Sequence, residues 1–251
     1  MREVDISDQL LPQHYEVMRC LGLLARSINT DLWCLVGGMM VLVVARAAGR
    51  TDSRAEGTKD GDVVVDVLAE PEILAKVAYA LRSLGYELPP DDDRGPDFAR
   101  CTFVSGSAQV DVLAPEDTPA DQLEVGTDLR SLAIPGGRRA LVGSELTTIY
   151  YAEERADVVI RVPSLTGAIC VKAAAVLDPR TGSHPRHVQD VAFLLACIDD
   201  PVAAADELDD TDRELLTELQ ALGLGDDVAW RYLDADDRAR ALAALEFLVA
   251  P

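Results

Sequence analysis

Apolar residues recur at helical spacing between residues 12 and 29, which predicts a helix closed by the polar break Asn29-Thr30-Asp31. The apolar run Leu32–Val36 predicts a short strand. Gly37-Gly38 then turn the chain into a second helix, Met39–Ala48, ended by Gly49. Residues 51–59 are polar and predict a loop, and the β-branched run Val63–Leu68 predicts a strand. Pro71 suits the first turn of a helix running to about Leu84, where Gly85 stops it. Pro89 to Pro96 reads as an acidic loop. Strands near Arg100–Val104 and Gln109–Leu113 are expected to form a hairpin through Ser105-Gly106-Ser107, with Pro115 ending the second. The chain is then loop-rich up to the turn Pro135-Gly136-Gly137. Ala140–Tyr151 fits helix and strand equally, and Asp157–Val162 predicts another strand.

From Pro163 the period changes. Ser164–Leu177 and His187–Ile198 read as helices, Thr211 with Glu214 reads as a capping box opening a helix over Asp212–Ala221, and a last helix spans about Asp236–Val249. Strands early and helices late predict an α/β (α+β) chain: a mixed-sheet lobe over residues 1–160 and a helical lobe over 161–251.

Composition narrows the classes. With 251 residues, 49% of them hydrophobic, the chain can bury a sizeable core. No apolar run approaches the ~20 residues of a membrane span, and the acidic start Met1-Arg2-Glu3-Val4-Asp5 lacks the apolar stretch of a signal peptide. Five scattered cysteines, Cys20, Cys34, Cys101, Cys170 and Cys197, read as buried free thiols, so a cytoplasmic setting is expected. The net charge of −21 argues against a broad nucleic-acid footprint. Arg46, Arg50 and Arg54, and the adjoining Arg138 and Arg139, still leave room for a locally basic cleft.

Against this background a few polar residues stand out. Asp60 and Asp62 leave the same face of a strand if the strand includes them. They form either a solvated acidic turn or a magnesium site, because carboxylates this close repel unless a cation lies between them. Asp111 is a charge embedded in the apolar run Gln109–Leu113. It faces solvent by alternation, or joins Asp60 and Asp62 if the two strands are neighbours. Asp66 is read as exposed. Gly37-Gly38 before a helix is a tight turn or a phosphate cradle. Lys172, one of three lysines with Lys59 and Lys76, stands in an almost wholly apolar helix. It snorkels to solvent or contacts a triphosphate. Asp190 begins an apolar helix, where it favours the positive dipole end, positions Lys172, or activates an acceptor hydroxyl. His184 and His187 read as loop and surface residues.

Taken together, these residues resemble the nucleotidyltransferase superfamily that includes DNA polymerase β, with its glycine turn, Asp-x-Asp and third strand-borne acid. More narrowly, the chain looks like the AbiEii/AbiGii-type nucleotidyltransferases, the toxins of type IV toxin–antitoxin systems. Their four motifs fall on Gly37-Gly38, Asp60-x-Asp62, Lys172 and Asp190, between about residues 35 and 198. One position departs: Met39 stands where the family usually has Ser or Thr, which removes a hydroxyl from the phosphate site. The resemblance implies a transferase that moves an NMP from NTP to an acceptor hydroxyl. Asp60, Asp62 and Asp111 would hold two magnesium ions, while Gly37, Gly38, Met39 and Lys172 would bind the nucleotide. Asp190 would fix Lys172 or the acceptor. Transfer RNA as acceptor and an antitoxin protein as partner follow from the same resemblance. An antibiotic-modifying enzyme with a cationic aminoglycoside or lincosamide acceptor, and a catalytically weak nucleotide-binding regulator, remain the alternatives.

Overall fold

The computed structural model describes residues 1–51, 60–89, 100–152, 156–181, 185–222 and 229–250. The expectations for Arg54, Lys59, His184, the polar loop beyond residue 51 and most of the acidic loop lie outside them. Helix α1 (Pro12–Ser27) follows a first strand, β1 (Arg2–Asp5). Strand β2 (Trp33–Val36) runs directly into α2 (Gly37–Ala47), so the helix starts on the glycines themselves. Strand β3 (Asp60–Val65) begins at Asp60, three residues before the predicted start, and α3 (Ile73–Ser83) follows. The hairpin forms from β4 (Thr102–Ser105) and β5 (Ala108–Pro115). The stretch read as loop contains the small ribbon β6 (Glu124–Val125) and β7 (Leu129–Arg130), then β8 (Leu132–Ile134).

The segment that fitted both helix and strand is both. It contains the last residues of α4 (Gly137–Val142), then β9 (Ser144–Tyr150), and Gly143 between them ends the helix. Strand β10 (Asp157–Pro163) closes the strand-bearing part, and α5 (Leu165–Leu177), α6 (Pro185–Ala196), α7 (Pro201–Asp206), α8 (Asp210–Leu222) and α9 (Ala235–Leu248) follow. The chain is therefore mixed α and β.

Strands β2-β3-β5-β4 form the principal sheet, with β8 also on β5, and β1-β9-β10 form a second. The pairing of β3 with β5 is parallel, and it sets Asp60 beside Gln109 and Asp62 beside Asp111. Strand β5 alternates strictly: Ala108, Val110, Val112 and Ala114 are buried, whereas Gln109, Asp111 and Leu113 are half-buried. The buried face packs against α1, where a Cβ on Gly61 would stand 2.5 Å from Val17 Cγ1, so only glycine admits the helix there. On the opposite face α4 covers the downstream end. A Cβ on Gly137 would meet Pro115 Cα at 2.8 Å, and one on Gly136 would meet Val171 Cα at 3.0 Å. The Pro135-Gly136-Gly137 turn thus lets α4 sit against β5 while α5 closes on it. The upstream end of that face, bearing Asp60, Asp62, Gln109 and Asp111, is left partly open.

Two local expectations are corrected. The box that opens α8 is Asp209 with Asp212, two residues before the predicted pair: Asp209 Oδ1 accepts from the Asp212 N–H at 2.8 Å, and Asp212 Oδ2 from the Asp209 N–H at 3.4 Å. Asp66 is half-buried rather than exposed, because Arg138 Nη1 reaches its Oδ1 at 2.8 Å. All five cysteines are buried free thiols. Among the described residues no helix is long and apolar enough to cross a membrane.

Candidate functional site

The geometry starts from strand register. Parallel in-register neighbours point to the same face, about 4.8 Å apart, so Asp62 and Asp111 stand side by side with Asp60 one step along. All three are half-buried and lie within strands, which removes the reading of Asp60 and Asp62 as a solvated turn. Burial and the neighbouring Asp111 push the Asp62 carboxyl up to about 7. Asp60 adds to the rise, and Lys172 and Arg186 oppose it. Gln109 Nε2 donates to Asp111 Oδ1 at 3.4 Å.

Gly37 closes one side of this face. It takes a φ of +70°, and a Cβ there would fall 1.6 Å from Asp62 Oδ2, so this site tolerates no side chain. Gly37 and Gly38 are half-buried at the start of α2, where N–H groups lack intrahelical partners and the helix dipole is positive. The Met39 side chain, by contrast, is fully buried in the core. What Met39 offers a ligand at this end is its backbone N–H.

The other side comes from α5 and α6. Lys172 is 4% exposed and does not snorkel; its Nζ lies 2.8 Å from Asp190 Oδ2, and Asp190 is equally enclosed. Helix α6 begins at Pro185, so Asp190 lies beyond its first turn and the dipole reading lapses. The buried ion pair therefore ties α5 to α6, with the Lys172 charge still felt at Asp62. The structure thus gathers Gly37, Asp60, Asp62, Asp111, Lys172 and Asp190 about one face.

The arginines proposed for a basic cleft behave differently. Arg46 Nη2 lies 2.9 Å from Asp8, and Arg50 pairs with Asp237 on α9. Arg138 bridges Asp66 and Asp117, and Arg139 donates to both oxygens of Asp212. Two polar neighbours of the site escaped the sequence reading. Gln109 had a signal in its i, i+2 spacing to Asp111 on β5, and Arg186 in its i, i+4 spacing to Asp190 on α6.

Among the described residues, no group of three His, Cys, Asp or Glu side chains is gathered tightly enough to cage a metal by itself. Magnesium needs less, since one or two carboxylates with substrate phosphates suffice. The carboxyl donors here are all oxygens, and Asp62 and Asp111 stand in register on neighbouring strands with Asp60 on the same face, a donor set that fits that cation. Comparison of the chain with protein-family models finds no match, and comparison with curated proteins finds none either.

Proposed function

We propose that the chain is a magnesium-dependent nucleotidyltransferase that moves an NMP from an NTP to an acceptor hydroxyl on a polymerase β-like sheet lobe. The observation that carries this reading is the in-register pairing of Asp62 with Asp111, on a half-open sheet face against which the backbone of Gly37 is pressed. Asp60, Asp62 and Asp111 would hold the two magnesium ions. Bound magnesium supplies positive charge against the charge that builds on the transferred phosphoryl group. The N–H groups of Gly37, Gly38 and Met39 face the β- and γ-phosphate oxygens. Lys172 contacts them from the opposite side, held in place by Asp190. Asp111, steadied by Gln109, orients the acceptor hydroxyl. The buried free thiols support a cytoplasmic setting.

Transfer RNA, with toxin-like action and an antitoxin partner, is the first acceptor reading. A cationic small molecule such as an aminoglycoside is the second, and a specific observation favours it: Arg46, Arg50, Arg138 and Arg139 are already held by carboxylates, so the acid face lacks a basic surround from them. The test incubates the protein with magnesium, labelled NTPs and, in turn, total tRNA, protein and aminoglycosides. Label on RNA supports the first acceptor and label on the drug the second. Label transfer that survives the double change Asp60→Ala with Asp62→Ala sinks the metal-site assignment.

A further inference from the structure

Helix α9 is apolar on two sides. Ala241, Ala244, Leu245 and Leu248 are spaced to share one face, and that face is buried in the core. Ala239, Leu242, Ala243 and Phe247 lie outside it, with Leu242 43% and Phe247 44% exposed. A helix whose one partner is the core has no use for the second stripe. Two members of the outer stripe, Ala243 and Phe247, also line a formed concavity. Ala243 and Phe247, one turn apart, face Ile198 at the end of α6 and Pro201 at the start of α7 across a groove of about 460 Å³, with Asp199 and Arg240 as its polar rim. The small side chain of Ala243 lets another helix approach closely beside the Phe247 ring.

Charge identifies the occupant. Residues 199–251 carry 15 acidic and 4 basic side chains, within a chain of net charge −21. A second copy would bring two strongly acidic lobes together, and nucleic acid or an anionic bilayer would meet the same repulsion. An amphipathic helix with basic flanks gains from both features: its apolar ridge fills the groove, and its cations face Asp199 on the rim and the exposed Asp200 next to it, while the rim cation Arg240 is already held by Asp237 at 3.5 Å. We propose that the groove between α7 and α9 docks a basic amphipathic helix of a partner protein. The groove is at the far end of α6 from Arg186 and Asp190, so the inference stands independently of the transferase reading.

The test measures fluorescence anisotropy of a labelled helical peptide of about 18 residues on the full chain, with leucines at i, i+3, i+4 and i+7 and lysines elsewhere. Salt is held at about 0.15 M to screen loose ionic contact. Phe247→Asp is expected to weaken binding at least about tenfold while leaving circular dichroism and melting unchanged, and Phe247→Leu to retain it. The sign is diagnostic, because an added aspartate would tighten a purely ionic association. Absence of binding, or equal binding by Phe247→Asp, overturns the proposal. A concentration-dependent dimer in sedimentation that Phe247→Asp dissociates gives the groove to a second copy and overturns it equally.

Discussion

Asp62 is held against its own charge. Its carboxyl is raised from 3.8 to about 7 by burial and by Asp111, so the folded chain favours the protonated form. Between about pH 4 and about pH 7 the folded state binds more protons than the unfolded one, and stability falls as pH rises through that window. Asp62→Asn, which cannot ionise, is therefore expected to melt higher than the unaltered chain at pH 8 in the presence of chelator. The gain should shrink toward zero near pH 4, and a pH-independent difference would contradict the account. Gly37 sets the complementary constraint: Gly37→Ala strains a φ of +70° and drives a methyl into Asp62, which should cost about 2–4 kcal/mol in urea unfolding. At this scale the sequence was legible where a charge interrupted an apolar strand, as at Asp111. It was less so at Asp66, whose partner Arg138 is 72 residues away and leaves no local signal.

Among elements, α5 and α6 are joined by Lys172 and Asp190. Removing one member of a buried pair strands the other charge, so Lys172→Met should destabilise by about 3–5 kcal/mol. Adding Asp190→Leu should recover much of that loss in chemical denaturation without restoring the proposed nucleotidyl transfer. Failure of the second change to restore stability would mean that the pair contributes more than charge compensation. Periodicity located most elements because apolar spacing dictates what can be buried. It missed β1, four residues that pair with β9 from across the chain, and α7, whose six residues are too few to show a period. The Asp209–Asp212 box was displaced because both members are aspartates rather than the Thr–Glu pattern two residues later. The turn at Gly136-Gly137 was visible, but its role in seating α4 and α5 depends on neighbours far along the chain.

At the scale of the whole molecule, the net charge of −21 opposes compaction. Raising salt from about 0.01 M to about 0.15 M shortens the Debye length from about 30 Å to about 8 Å, so the melting temperature should rise; a fall would mean that the arginine–carboxylate pairs outweigh the repulsion. The division into a strand-bearing part ending at Pro163 and a following run of helices was legible from the change of period. The face on which the two parts meet was not, because it depends on β3 lying parallel to β5 in one particular register. That register is the core of the functional account. Its most direct test is pyrophosphate release from labelled NTP with magnesium and the acceptor panel, comparing the unaltered chain with Asp111→Asn. Magnesium-dependent release is expected from the unaltered chain and should fall at least about 100-fold in Asp111→Asn, with the fold intact. Release that is undiminished in that variant would contradict the account.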